Sequence, residues 1–228
     1  MKIAHFTWEY PPVIFGGLGT FATEITQKQA SLGHKVTVFS LNENNALTTY
    51  EKINGVDVYR PKTLDLTETF RLFTTYELKS WGPNFKFFAD VISYNTMSAS
   101  QMVNVLVRTE GKNFDIIDAH DWLGIMGGII AKKELKLPLM FHVHSTEVGR
   151  SVGRGSHTIK DIEYEGGQVA DCVITVSFAM KDELEKLGFP PDKIRVCWNG
   201  VDPKKYDPAK VSQEERLQLR RGYGINDN

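Results

Sequence analysis

A glycine-containing loop near the start of the chain carries the clearest chemical signal. Gly16, Gly17 and Gly19 stand between an apolar segment, 2–7, and a segment whose apolar residues have helical spacing, 20–32. Glycines let a bulky anion approach the backbone, and the helix that follows offers unpaired N–H groups and the positive end of its dipole. The pattern therefore predicts a phosphate site. The alternative is that the three glycines only form a tight turn.

A dinucleotide such as NAD does not fit this loop. The Rossmann fingerprint needs G-x-G-x-x-G soon after the first strand and an acidic residue near the end of the second strand. Here the loop is long, contains two prolines and reads Gly-Gly-Leu-Gly, and the first acid after the predicted second strand, 35–41, is Glu43. NAD binding is therefore not expected, and no other cofactor is predicted.

Two histidines lie on one predicted strand. His142 and His144 are two positions apart, so they share a face, and His120 with Asp121 can complete a cluster of nitrogen and oxygen ligands. Zinc needs three such ligands to converge. A histidine on a strand beneath a helix is more often a hydrogen-bonded core residue, so the sequence predicts no metal.

Several residues that follow predicted strands have both a functional and a structural interpretation. His144 can hydrogen-bond a sugar hydroxyl or a developing charge, or it can bond a loop carbonyl. Trp122 can stack on a sugar ring or fill the gap between helix and sheet, and Asp121 can bind a hydroxyl or cap the next helix. From these residues alone we favour the filling and the capping roles. Asn199 and Gly200 can form a simple turn.

Alternating strands and helices must position these residues. The predicted strands cover 2–7, 35–41, 47–53, 56–60, 114–119, 139–143, 171–176 and 194–197. The predicted helices cover 20–32, 83–106, 123–135, 156–169, 178–187 and 213–221. This order predicts an α/β fold with a doubly wound, mostly parallel sheet, in which ligands lie beyond the carboxyl ends of the strands. The segment 148–157, rich in glycine, arginine and serine, has few means of ordering itself.

The composition limits the class of partner. The chain has 228 residues, of which 41% are hydrophobic and 24% charged, with a formal net charge of −1. This balance gives no electrostatic case for nucleic acid or an anionic membrane. No apolar run approaches the length of a membrane span, and Cys172 and Cys197 lie in apolar, strand-like runs. We therefore predict a cytoplasmic protein with two buried free thiols.

Five stretches of the sequence carry a family resemblance. They are WEYPPVIFGGLG, DIIDAHDWLG, FHVHSTE, ADCVITVSFAMKDEL and KIRVCWNGVDPKKYDP. Together they resemble the N-terminal domain of glycogen and starch synthases and related retaining glycosyltransferases of the GT-B fold. Two of the motifs, WEYPP and HVHSTE, are most similar in sequence to archaeal glycogen synthases. The resemblance implies a Rossmann-like N-terminal domain over 1–208. Residues 209–228 would form a terminal helix and the start of the connection to a C-terminal nucleotide-binding domain.

The resemblance also implies roles for particular residues. The implied donor-phosphate residues are Gly16, Gly17 and Leu18. The implied contacts to the transferred glucose are His144, which is also the implied catalytic residue, and Asn199. The implied acceptor residues are Asp121 and Trp122, with Glu9 and Ser145 as weaker neighbours. One position departs from bacterial synthases, which have a lysine where this chain has Ile14, so the choice between ADP-glucose and UDP-glucose stays open.

The activity implied by the resemblance is transfer of glucose from a nucleotide-glucose to the non-reducing end of an α-1,4-glucan, with retention. No metal is required by these residues, and residues 1–228 alone are expected to show little transfer without the C-terminal domain. Two alternatives remain at this point. The chain could be a glucan-binding module without chemistry, or another GT-B hexosyltransferase of the sucrose or trehalose synthase kind.

Overall fold

Eight strands form one sheet in the part of the chain that the structure, a computed structural model, describes: residues 1–82 and 84–226. The strands are β1 Lys2–Phe6, β2 Lys35–Phe39, β3 Tyr50–Ile53, β4 Val56–Tyr59, β5 Ile116–His120, β6 Leu139–Val143, β7 Cys172–Thr175 and β8 Ile194–Val196. All eight overlap the predicted strands, and β6 matches its prediction residue for residue, because its apolar run is bounded by polar and proline residues.

Helices connect the strands. They are α1 Gly17–Ser31, α2 Thr67–Arg71, α3 Tyr76–Ser80, α4 Asn84–Ser100, α5 Asp121–Leu135, α6 Glu147–Arg150, α7 His157–Val169, α8 Phe178–Lys186 and α9 Gln213–Gly222. A π-helical segment, Gln101–Thr109, continues α4. The long helix predicted over 83–106 is therefore confirmed from residue 84, and its predicted first residue, Pro83, lies outside the described residues.

The order of the strands identifies where a ligand should bind. The order across the sheet is β3-β4-β2-β1-β5-β6-β7-β8, and every neighbouring pair is parallel except the β3–β4 hairpin. The chain runs outwards in one direction from β1 and in the other from β5. The doubly wound, mostly parallel sheet is thus confirmed, and its topological switch point lies between β1 and β5, where α/β sheets bind ligands.

The two faces of the central strands differ in chemistry. The face that packs against α5 is apolar; it includes Ala4, Phe6, Ile117, Ala119, Leu139, Phe141 and Val143, all fully buried or nearly so. Gly124, Gly127 and Gly128 let α5 approach this face closely, because a Cβ at each would lie within 3.0 Å of an atom of β1, β5 or β6. The opposite face, which α1 contacts through Phe21 and Gln29, carries histidines and an aspartate.

The segment 148–157 corrects one expectation. Instead of a disordered loop, it begins in α6 and is held by carboxylates of its neighbours. Glu163 accepts the backbone N–H of Glu147 at 2.9 Å and a guanidinium N–H of Arg150 at 2.9 Å, and Glu147 accepts the N–H of Ser156 at 2.9 Å. Ser156 in turn caps α7. The contacts join distant positions, so local composition could not reveal them.

The thiol prediction is half correct. Both cysteines are free, but Cys172 on β7 is only half-buried, and Cys197, which follows the edge strand β8, is exposed. Within residues 1–82 and 84–226, no helix has the length and apolar character that a membrane crossing needs.

The chain divides into two compact units, Met1–Cys197 and Trp198–Asn228. The main element of the second unit is α9, which begins with a capping box in which Ser212 and Glu215 bond each other's backbone N–H. The helix predicted over 213–221 is thereby confirmed.

Candidate functional site

The loop that follows β1 folds around a carboxylate of its own. Glu9 is buried, and its Oε2 accepts the backbone N–H of Phe15 at 2.9 Å, of Gly16 at 2.9 Å and of Gly19 at 3.2 Å. The positive end of the α1 dipole also favours this negative charge. Glu9 is therefore an anchor of the predicted phosphate loop. Sequence reasoning missed this role, since no helical or strand periodicity links these positions.

The three glycines of this loop have different reasons to be glycine. A Cβ at Gly19 would lie 2.8 Å from the Cβ of Glu9, whereas a Cβ at Gly16 or Gly17 would meet no atom within 4 Å. None of these three residues has a left-handed backbone, so a tight turn does not require them. Open space above Gly16 and Gly17 is what a phosphate approaching the first turn of α1 needs.

Gly17 and Leu18 occupy the first two positions of α1. The N–H groups at those positions have no partner within a helix, so they are available to an anion that enters from the open side of the loop. The predicted donor-phosphate residues thus share the start of one helix, at the carboxyl end of β1.

Asp121 ties the ends of β5 and β6 together. It is buried, and its Oδ1 accepts the backbone N–H of His144 at 2.7 Å and of Ser145 at 3.4 Å. The capping role that we favoured from sequence is wrong, because the carboxylate reaches the next strand end instead of the first turn of α5. Asp121 also has φ of +51°, a strained angle for a residue with a side chain. Burial raises the pKa of Asp121 to about 6.

His144 lies at this junction, next to the helix of the glycine loop. Phe21 of α1 meets its ring edge-on with centroids 4.6 Å apart, and the His142 ring stacks on it at 4.6 Å. Its Nε2 lies 3.1 Å from Nδ1 of His120. Burial lowers the pKa of His144 to about 3, so the imidazole is neutral near pH 7. A neutral ring at this position can accept or donate one hydrogen bond, but it does not carry charge.

Trp122 is a buried packing residue, as we favoured from the residues alone, but its ring contacts are with helix α4 and not in the gap between helix and sheet. Its side chain is buried, and its ring lies 6.4 Å from that of Phe88 and 6.0 Å from that of Phe87. A cavity of about 670 Å³ opens nearby, beyond the carboxyl ends of β1, β2 and β4. Its lining includes the aromatic residues Trp8, Phe15 and Phe87 and the charged residues Glu9, Glu43, Asp65, Lys86 and Asp90.

Two predicted site residues remain. Ser145 is next to His144, and its Oγ accepts a guanidinium N–H of Arg150 at 2.8 Å, so it is part of the ordered α6 segment. Asn199 belongs to the second unit, Trp198–Asn228, where it is exposed in an irregular segment. Its part in the site stays a prediction. Within Met1–Cys197 Asp121 binds the backbone of His144, and Phe21 of α1, the helix that follows the glycine loop, contacts the His144 ring.

Solved structures share this fold at low sequence identity. Sucrose-phosphate synthase from Thermosynechococcus elongatus has a TM-score of 0.69 and 17% identity, over 96% of this chain and 52% of that one. The catalytic domain of starch synthase IV from Arabidopsis thaliana, bound to ADP and acarbose, has a TM-score of 0.65 and 14% identity, over 99% and 60%. HepE from Anabaena, in complex with UDP-glucose, has a TM-score of 0.62 and 18% identity, over 100% and 51%. The fold is that of one half of a GT-B glycosyltransferase.

Curated relatives give the family. An uncharacterized glycosyltransferase of Methanocaldococcus jannaschii is 32% identical over 100% of this chain and 53% of its own length. The glycogen synthase of Mycobacterium tuberculosis is 27% identical over 97% of this chain and 56% of its own length. The model of Glycosyltransferase Family 4 matches residues 15–205, and the chain belongs to this family. It spans about half the length of the curated relatives it matches.

Proposed function

We propose that this chain is the N-terminal, acceptor-side domain of a glycogen synthase. The full enzyme would transfer glucose from ADP-glucose or UDP-glucose to the non-reducing end of an α-1,4-glucan, with retention. A C-terminal domain would hold most of the nucleotide. The observation that supports the proposal is that α1, the helix that follows the glycine loop, contacts His144 through Phe21 beside the switch point between β1 and β5.

The glycine loop supports a donor phosphate above Gly16 and Gly17. Both positions are open to a ligand, and the N–H groups of Gly17 and Leu18 start α1. Glu9 already neutralises part of the helix dipole, so this loop provides a weaker phosphate site than a loop with a lysine. That is consistent with a second domain supplying the basic groups for the diphosphate.

Neutral His144 suits a contact to the transferred glucose. An uncharged imidazole can hydrogen-bond a sugar hydroxyl without attracting the diphosphate away from the glycine loop. In this proposal His144 orients the glucose next to the breaking bond, and Asn199 is a second residue expected to contact the sugar. Removing one such hydrogen bond would cost about 1–1.5 kcal/mol, or roughly tenfold in rate.

The carboxylates near His144 support a front-face mechanism. Glu9 accepts three backbone N–H groups and Asp121 accepts two, so both are committed to holding the backbone. A double displacement needs a carboxylate free to attack the sugar. We therefore propose that the leaving diphosphate helps deprotonate the acceptor hydroxyl, while the protein contributes position and electrostatics.

The charge of the 670 Å³ cavity supports a neutral acceptor there. Its lining combines four carboxylate side chains with one lysine, Lys86, which pairs with Asp90 at 2.8 Å. A nucleotide diphosphate would be repelled by this lining. A glucan is uncharged, its hydroxyls can donate to carboxylates, and its ring faces can pack on Phe15 and Phe87, which are 65% and 43% exposed.

Titration with maltooligosaccharides tests the acceptor part. Phe87→Ala should weaken binding about tenfold, since it removes the exposed aromatic face from the cavity. Tyr164→Ala is a matched control, because Tyr164 is also 43% exposed and lies outside the cavity lining. Equal affinities of the two variants would contradict the acceptor site.

A transfer assay tests the chemistry. The protein carrying both domains should move glucose from a nucleotide-glucose to a maltooligosaccharide with the α configuration retained, and His144→Ala should lower kcat/KM about tenfold. Glucan binding without transfer from either ADP-glucose or UDP-glucose would identify a binding module instead. Transfer to a monosaccharide acceptor alone would identify another GT-B hexosyltransferase.

A further inference from the structure

An unusual group of side chains lies beneath α1. Where a sheet face under a helix is normally aliphatic, here it holds His5, Asp118, His120 and His142, each at most 5% exposed. In the described part of the chain, the ion-pair contacts of Asp118 are all to these imidazoles. A carboxylate without a cationic neighbour is costly inside a protein, so this group needs a compensating positive charge.

Three of these side chains have the spacing of ligands on one metal ion. His5 Nδ1 lies 3.1 Å from His120 Nε2 and 3.4 Å from Asp118 Oδ2, and His120 Nε2 lies 3.7 Å from the same oxygen. Ligand atoms at about 2.0–2.1 Å from a tetrahedral zinc ion lie about 3.3–3.4 Å from one another. The three measured separations, 3.1, 3.4 and 3.7 Å, lie close to this value. The three atoms come from two adjacent strands, β1 and β5.

His142 lies next to this set. Its Nδ1 lies 3.8 Å from Asp118 Oδ2, and both its ring nitrogens are buried without a hydrogen-bond partner among the described residues. An unpartnered buried ring is a costly arrangement that calls for an explanation. A set of His120, His142 and His144 is also compact, but it lacks a carboxylate to balance the charge of the ion.

The outer ring nitrogens are arranged as in protein zinc sites. Metal-binding histidines commonly use the second ring nitrogen for a hydrogen bond that fixes the ring. His5 Nε2 lies 2.8 Å from Gln29 Oε1, and His120 Nδ1 lies 3.1 Å from His144 Nε2. Both inner histidines thus have an outer partner, one on α1 and one at the proposed sugar site.

We propose that His5 Nδ1, Asp118 Oδ2 and His120 Nε2 bind one divalent transition metal ion, with zinc as the best match to two nitrogens and one oxygen. The three protein ligands lie on β1 and β5, so the ion joins these two strands beneath α1. The proposal goes beyond the glucosyltransferase function and does not depend on it.

Metal binding also fixes the tautomer of His144. With the metal on Nε2, His120 carries its proton on Nδ1 and donates to His144 Nε2, so His144 carries its own proton on Nδ1. Without a metal, His5 donates to Gln29, His120 donates to His5, and His144 donates from Nε2 to His120. The two states therefore present opposite hydrogen-bonding groups on the outer nitrogen of His144.

Metal analysis of the purified chain is the first test. Protein from zinc-supplemented growth should contain about one zinc per chain, and Asp118→Asn and His5→Ala should lose it. His34→Ala and His157→Ala are matched controls, because neither histidine belongs to a compact set of possible metal ligands, and both variants should retain the metal. Zinc content at trace level in the wild type, or equal retention in the Asp118 and His34 variants, would overturn the proposal.

A second measurement guards against variants that fail to fold. The wild type, stripped with a chelator and shown to keep its circular dichroism, should bind Co²⁺ with the intense visible absorption of four-coordinate cobalt, and its Tm should rise on adding Zn²⁺. Absence of both responses would overturn the site. Nitrogen NMR of labelled histidine should show the His144 proton moving from Nε2 to Nδ1 on zinc binding; an unchanged tautomer would overturn the link to His144.

Discussion

The two faces of the central strands differ in chemistry, although alternate residues of the same strands form them. Along β5 and β6, Ile117, Ala119 and Phe141 point to the α5 face, while Asp118, His120 and His142 point to the α1 face. Both faces are equally buried. Burial alone therefore does not distinguish the face that stabilises the fold from the face that carries chemistry.

The difference lies in which groups have their interactions satisfied. The α5 face gains stability from close packing, with glycines that allow contact between backbones. The α1 face contains buried polar atoms without partners, among them Asp118 Oδ1 and both ring nitrogens of His142. Such a face lowers stability unless a ligand or ion compensates it, which is a common feature of functional sites.

The largest expected effect compares neighbouring residues on opposite faces. Phe141→Ala should lower the free energy of unfolding by about 3–5 kcal/mol, because it opens a cavity in a fully packed core. His142→Ala, with chelator present so that no metal contributes, should cost about 1 kcal/mol, since the truncation breaks no hydrogen bond. Urea denaturation followed by circular dichroism measures both.

Equal losses in these two variants would break the comparison. They would mean that the histidine face packs as tightly as the aromatic face, and that its polar residues need no compensation.

The next largest expected effect concerns Glu163. It tests whether ionisable groups affect the stability of the fold only beneath α1 or also on the apolar side of the sheet. It lies on α7, whose Gly166 approaches Phe141 on the apolar side. Burial raises the pKa of Glu163 from 4.5 to about 7, so the folded state holds the proton more tightly than the unfolded chain does. The associated stability, about 3 kcal/mol, is present below pH 4.5 and is lost as the pH rises through about 7.

Thermal unfolding across this pH range, with Glu163→Gln beside the wild type, measures the effect. The variant keeps an oxygen that can accept the Glu147 N–H but does not titrate, so its stability should fall less than that of the wild type between about pH 4.5 and 7. Glu165→Gln, exposed on the same helix, is the control and should follow the wild type. A wild-type profile that does not fall with pH would show that Glu163 stays ionised.

Sequence patterns predicted the strands and the shared faces of side chains, because these features depend on the periodic spacing of residues. They located all eight strands and the shared face of His142 and His144. Each of these follows from neighbours within a few positions of one another.

The missed features all depend on contacts between distant positions. Asp121 bonds an N–H 23 residues away, and the α6 segment is fixed by Glu163, 16 residues from the N–H it accepts. The His5 ring lies next to the other histidines because β1 lies beside β5 in the sheet. In the chain, His5 and its partner His120 are 115 residues apart. No local spacing encodes such pairs, so the site could be placed at an edge of the sheet but its contacts could not be assigned.

The smallest expected effect on stability concerns the glycine loop. In this loop Gly19 packs against Glu9, whereas Gly17, two residues away, is open to a ligand. Gly19→Ala should cost about 1–3 kcal/mol, because its Cβ would lie 2.8 Å from Glu9. Gly17→Ala should change stability by less than about 0.5 kcal/mol, since a Cβ there meets nothing within 4 Å. If a donor phosphate approaches Gly17, the same small methyl group should still weaken nucleotide-glucose binding by the two-domain protein, while Gly222→Ala, also in open space, should not. Unchanged donor affinity in Gly17→Ala would contradict a donor phosphate above Gly17.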